Sequence, residues 1–293
     1  MPKEDRSWSN RLFNTVNYTL LMLISVITII PFLYIVTVSF ATPVEVVKGG
    51  LLLFPSQFTL GAYKYIFSTD TMLRSILVSI FVTALGTLIN LIMTSFTAYP
   101  LARTNLRGRR TIMLMILITM LFSGGLVPTY FVVKAFGMIN TYWSLMIPTA
   151  ISAFNLIVLK NFFQQIPDGL EDSAKIDGCN DLGILFRIII PLSMPAMATF
   201  GLFYAVGHWN TFFNAVMYIN DAEKFPVQVV LRQIILLSQD QIGDTTSQQD
   251  PTDYLPQTIR MASIVVATVP IVLMYPFLQK HFAKGVLLGS VKG

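Results

Sequence analysis

Acid–base, metal and thiol chemistry needs carboxylates, histidines or cysteines. This chain of 293 residues holds 15 Asp and Glu, two His and one Cys, and it distributes them unevenly. Five acids, Asp168, Glu171, Asp172, Asp177 and Asp181, crowd one polar stretch from Gln164 to Pro195, QQIPDGLEDSAKIDGCNDLGILFRIIIPLSMP, against Lys175 and Arg187. The long apolar runs contain no Asp or Glu, and His208 is the one histidine within them. Proton-coupled carriers use buried carboxylates or histidine relays, and intramembrane hydrolases need acidic, metal-binding or activated nucleophilic groups. Neither set is present, so no residue is assigned a catalytic or metal-binding role. No Gly-x-x-x-x-Gly-Lys-Ser/Thr loop occurs, so P-loop binding of ATP by this chain is excluded. Cys179 has no partner for an internal disulfide.

A second group of residues could line a pathway. Tyr204, His208, Trp209, Asn210, Phe213 and Asn214 mix aromatic faces with hydrogen-bonding groups, which together meet a solute that is apolar on its faces and polar at its edges. Asn210 and Asn214 are four residues apart and are expected to share a helical face. Trp and Tyr also mark membrane interfaces, which is the alternative reading. Asn90 and Asn155 are read as interhelical hydrogen-bonding residues ahead of pathway contacts. Gly86, Gly201 and Gly207 are expected at close helix contacts.

The elements that carry these residues are membrane spans. Hydrophobic residues make up 54% of the chain and charged ones 12%, about half the share usual in soluble proteins, and the mean hydropathy is +0.65. That composition excludes a disordered chain, a coiled coil, a soluble enzyme and a disulfide scaffold. Six runs reach the roughly 20 apolar residues a span needs: about 16–40, 75–101, 111–133, 142–159, 192–219 and 259–278. The first run is too long for a cleavable signal peptide, and no small-residue cleavage site follows it. The expectation is an all-α polytopic membrane protein with six transmembrane helices.

Lysine and arginine set the orientation. With the N-terminus inside, 13 of the 20 basic residues face the cytoplasm, among them the cluster Arg103, Arg107, Arg109 and Arg110. Both termini are therefore expected in the cytoplasm of a multi-pass plasma-membrane protein. The net charge of +5 reflects these loops rather than nucleic acid. Residues 1–15 are expected as a cytoplasmic N-terminus, 16–281 as the transmembrane domain and 282–293 as a cytoplasmic tail. Within the domain, 220–257 is an external loop, with 226–237 as a short interfacial helix. Docking of a soluble partner on the loops 42–71 and 220–257 is one expectation, and a solvated loop is the other.

The acidic stretch reads as a helix–turn–helix on the cytoplasmic side. Asp168 is an N-cap candidate with Glu171 three residues on, as in a capping box. Gly178 stops the first helix after about Asp177. Asn180 or Asp181 caps a second helix carrying Leu182, Leu185, Phe186 and Ile189, which Pro191 ends.

On those residues the loop resembles the cytoplasmic loop of permease subunits of bacterial ABC importers. That pattern is Glu-Ala-Ala, three residues, Gly, nine residues, then Ile-x-Leu-Pro. Here Asp172-Ser173-Ala174 is followed by Gly178, Ile188, Ile190 and Pro191 at the same spacing, with Asp172 for Glu, Ser173 for Ala and Ile190 for Leu. Glu171 is a second candidate for the family's acidic charge. Ala98 to Arg103 resembles the same family's end of the second span, with Pro100 for a usual Ala, and Leu126 to Tyr130 with Gly137 to Trp143 resembles the third span and following loop of sugar-type permeases. Phe122-Ser123-Gly124-Gly125 resembles a branch handling complex, often acidic oligosaccharides such as those from pectin, xylan or alginate. The tail with Gly289, Ser290, Val291, Lys292 and Gly293 resembles the second permease of maltose-type importers, in which it reaches between the ATPases.

The resemblance implies a type I ABC importer permease fold with a coupling helix in the loop 164–191, made by Glu171, Asp172, Ser173, Ala174, Asp177, Gly178, Ile188 and Pro191. It implies a non-catalytic subunit with no cofactor of its own, ATP and Mg being held by two partner ATPase subunits. The other implied partners are a second, homologous permease and an extracytoplasmic solute-binding protein. The pair of permeases moves an oligosaccharide, with an acidic polysaccharide-derived one as the finer expectation, into the cytoplasm by alternating access. A polyamine or phosphorylated polyol in the same architecture, or a non-transport membrane assembly protein, are the alternatives.

Overall fold

The structure is a computed structural model that describes residues 8–50, 52–68, 70–240 and 255–290. All regular elements among them are helical. In chain order they are α1 (Trp8–Ser39), α2 (Pro43–Val47), α3 (Gly61–Ser68), α4 (Asp70–Ala102), α5 (Arg109–Leu121), α6 (Leu126–Ala135), α7 (Trp143–Met146), α8 (Ala153–Phe163), α9 (Asp168–Ile176), α10 (Asp181–Ile184), a π-helical turn (Leu185–Ile189), α11 (Ile190–Leu192), α12 (Met194–Trp209), α13 (Phe213–Tyr218), a 3₁₀ turn (Ala222–Lys224), α14 (Val227–Asp240) and α15 (Leu255–Ser290). They belong to two compact units, one of residues up to 69 with 233–268, the other of 70–232 with 269 onward.

In the first unit the end of α1 is tied to the segment that follows it. Phe40 stacks on Phe58 and Tyr63 at centroid distances of 4.8 and 4.9 Å. The Ser39 and Tyr63 hydroxyls lie 2.8 Å apart, and Thr37 Oγ1 donates to the Leu53 carbonyl at 3.0 Å. Ser56 N donates to Glu45 Oε1 at 2.6 Å, and this bond holds the Glu45 carboxyl below its ordinary pKa.

The second unit is organised on α4, a helix of 33 residues and about 50 Å at 1.5 Å per residue. Its buried face carries Ser75, Ser79, Gly86, Asn90, Thr94 and Ala98, small or hydrogen-bonding residues at helical spacing. Small residues let backbones approach without a hydrophobic driving force, which lipid does not supply. The helices packed most extensively on α4 are α12 and α8. One core cluster joins Ala98, Tyr99, Leu159, Phe163, Ile189 and Phe200, and a second joins Val82, Val133, Met146, Tyr218 and Val229. Val227 N donates to Ser79 Oγ at 2.8 Å, which pins the start of α14 to α4.

By length and composition, three helices among the described residues are fit to cross a membrane: Asn10–Ser39, Asp70–Ala102 and Gln257–Met274. The other expected spans are broken. The run 111–133 is α5 and α6, bent by 118° where Gly125 adopts φ +85°. The run 142–159 is the short α7, an irregular stretch containing Pro148, and α8, whose 11 residues span only about 16 Å. The run 192–219 breaks after Trp209, and α12 turns by 86° from the helix before it, across Ser193. Hydropathy reads the apolar run, whereas the positive φ of Gly125 and the missing N–H of Pro148 interrupt the helix inside the first two of these runs.

Candidate functional site

The acidic stretch folds into the expected helix–turn–helix, with two corrections. Asp168 is the first residue of α9 rather than its cap; Pro167 holds the cap position, and no side chain caps the helix. Pro191 does not end the second helix, which runs through the π-helical turn to Leu192. The stop is as read: Gly178 has φ +81°, its N–H reaches the Lys175 carbonyl at 3.0 Å, and Cys179 N reaches Ala174 O at 2.9 Å. Asn180, not Asp181, caps the next turn, its Oδ1 accepting from Gly183 N at 2.7 Å.

This geometry gives α9 two faces. Glu171 and Ala174 are buried. Ala174 enters the core beside Ile184 and Leu185, and Glu171 forms an ion pair with Arg103 at the end of α4. The Arg103 guanidinium lies 4.6 Å above the Tyr99 ring and 3.8 Å from Asp168 Oδ1. The other face is open. Asp172, Ser173, Asp177 and Gly178 are exposed, with Leu170 at 45% and Ile176 at 87%. Of the two adjacent acids, Glu171 is turned into this ion pair and Asp172 is the exposed one. Ile188 packs on the core and Pro191 is exposed. Residues 291–293 lie outside the described residues, and Gly289 and Ser290 close α15.

The candidate pathway residues divide. Tyr204, His208 and Asn214 come together on a cavity of about 310 Å³ beside α4, α8 and α12. Its wall also includes Asn90 and Asn155, which the sequence assigns first to interhelical hydrogen bonding, and Ser152, Phe203 and Thr211, which it does not single out. Trp209 is buried outside this cavity lining, and Asn210 and Phe213 are exposed. Asn210 and Asn214 do not share a helical face, because the break at 210–212 separates them; Asn210 closes α12, with Nδ2 bonded to Val206 O at 2.9 Å. A hydropathy window cannot see that break. The signal that was available is the small and polar periodicity of α4, which marks its packed face.

Two hydrogen-bonded chains frame the cavity. His208 Nε2 and Asn90 Oδ1 are 3.0 Å apart, and Asn90 Nδ2 donates to Thr149 O at 2.7 Å. The Tyr204 hydroxyl lies 2.8 Å from Thr94 Oγ1 and accepts from Ser152 N at 3.2 Å. Both serve the irregular stretch before α8, whose backbone groups lack helical partners and, in an apolar setting, must be met by side chains. Gly86 is needed here: a Cβ on it would lie 2.6 Å from His208 Nε2. Gly201 faces Leu91 at 3.5 Å, whereas Gly207 meets nothing within 4 Å and is not a close contact.

The profile of the family described as "Binding-protein-dependent transport system inner membrane component" matches residues 96–288, which include α9, the ion pair and the cavity. The chain belongs to this family. The permease is 54% identical over 284 residues to the polygalacturonan/rhamnogalacturonan transport system permease protein YtcP of Bacillus subtilis, covering 97% of this chain and 99% of that one. It is 53% identical to protein LplC of the same organism, covering 97% and 96%. Among solved structures it is similar to a chain of a bacterial ABC transporter involved in import of the acidic polysaccharide alginate, with a TM-score of 0.85 and 32% identity over 94% of this chain and 98% of that one. The fold is thus all-helical and of the type I ABC permease class, and the function is that of an ABC importer permease.

Proposed function

We propose that this permease forms half of the membrane pathway for an acidic, polysaccharide-derived oligosaccharide. The observation that carries the coupling half of this reading is the two-faced α9. Glu171 and Ala174 anchor it, while Leu170, Asp172, Ser173 and Ile176 point away from the core. An amphipathic helix held rigidly on one side and bare on the other suits a groove in a partner. We assign α9 as the coupling helix, docking on an ATPase subunit that binds ATP and Mg; this chain itself is non-catalytic and holds no cofactor.

The substrate class is supported by the 54% identical relative, whose name gives polygalacturonan and rhamnogalacturonan, and by the alginate importer. In this reading the chain pairs with a second permease, receives the saccharide from a solute-binding protein and carries six spans, with the bent and short helices completing the set. Both termini are cytoplasmic, the tail 289–293 meets the ATPases, and Tyr204, His208 and Asn214 belong to the pathway wall.

Proteoliposomes holding the two permeases and the ATPase pair test this. Binding protein loaded with an oligogalacturonide is expected to raise ATP hydrolysis and drive uptake. Absence of both, with the complex intact, overturns the assignment.

A further inference from the structure

The polar groups around the 310 Å³ cavity are not equivalent. Asn90, His208 and Tyr204 are occupied by one another, by Thr94 and by the backbone at Thr149 and Ser152. Asn155 is different. It is 6% exposed and lines the cavity, and among the described residues its side-chain amide has no hydrogen-bond partner. Buried amides in native proteins are almost always paired, so one that faces an open cavity is matched by what enters it. Asn214, on the same wall, likewise has an amide without a partner among the described residues. Phe203 supplies an aromatic side chain to the lining.

We propose that this cavity is a saccharide subsite of this subunit, in which the Asn155 and Asn214 amides hydrogen-bond ring hydroxyls and Phe203 covers a ring CH face. Its volume is near the small end of ligand pockets, about 300–1,000 Å³, so it takes one sugar ring of a longer chain. Among the described residues, no Asp, Glu, Lys or Arg lines it. It therefore reads hydroxyls and ring face, and the carboxylate of an acidic sugar is not what it recognises. The inference rests on the oligosaccharide reading above and adds which residues hold the sugar and which only frame the site.

A ring held here after release from the binding protein is kept from escaping, so the subsite shows in the saccharide imported per ATP hydrolysed. The test uses proteoliposomes of the complete importer with binding protein loaded with trigalacturonide or its methyl ester. Asn155→Ala and Asn214→Ala are each expected to lower that ratio about 2- to 10-fold, the weight of one neutral hydrogen bond. Val158→Ala, on the exposed side of α8, keeps the wild-type ratio. Asn155→Asp, the same in shape, lowers the ratio more for the acid than for its ester, because only the acid meets a like charge; damage to folding would not separate the two. Wild-type ratios in both alanine variants, an equal loss in Val158→Ala, or equal behaviour of acid and ester in Asn155→Asp overturns the subsite. A wild-type importer stimulated by neither saccharide overturns the saccharide reading, and the subsite with it.

Discussion

Arg103, just beyond α4, is ion-paired with Glu171 in the middle of α9, and the Glu171 side chain is only 4% exposed. This pair fastens the exposed helix to the longest packed helix of its unit, the one that also lines the polar cavity through Asn90. Removing one member of a fully buried pair costs about 3–5 kcal/mol. Arg103 keeps 22% exposure and its place over Tyr99, so Glu171→Gln is expected to cost about 2 kcal/mol. A double-mutant cycle with Arg103→Gln, read by thermal unfolding of the purified complex, is expected to be non-additive, and strict additivity would show that the pair contributes nothing.

Gly178 is held at φ +81° with open space around the position of a Cβ. A Gly178→Ala side chain meets no neighbour, so its cost is conformational, about 1–2 kcal/mol. The end of α9 is expected to shift, with ATPase stimulation by loaded binding protein falling more than complex assembly does. Gly178→Asn, which tolerates the left-handed region, is expected to recover part of the stimulation.

Gly86 and His208 touch, so Gly86→Ala drives a methyl into the imidazole and separates it from Asn90. Overpacking of this kind costs about 1–3 kcal/mol. Adding His208→Ala makes room for the new methyl. The double variant is expected to unfold at a higher temperature than Gly86→Ala alone, an order that contact elsewhere would not produce.

Glu45 accepts from Ser56 N, and its carboxyl pKa is lowered mainly by that bond. A depressed carboxylate pKa contributes order above the unfolded value and loses it as pH falls through the folded one. Cleavage of the segment 48–60 by an acid-tolerant protease is therefore expected to accelerate below the ordinary glutamate range. Glu45→Gln should be cut readily at every pH, and pH-independent protection of the native chain would exclude the role.

Much of this was legible in the residues themselves. The scarcity of charge, the apolar runs, the stop at Gly178 and a cap at Asn180 or Asp181 follow from composition and local backbone preference, which need no distant partner. Glu171 and Asp172 are adjacent acids with nothing local to rank them. Only the arrival of Arg103 from another helix turned the first inward and left the second exposed. Likewise Asn155 and Asn90 look alike in the sequence, yet the Asn90 side chain is consumed by His208 and Thr149, while the Asn155 amide faces the cavity with no partner among the described residues. Hydropathy and spacing report what each segment prefers alone. Which polar group is satisfied and which is left to bind depends on side chains that are distant along the chain and adjacent only in the fold.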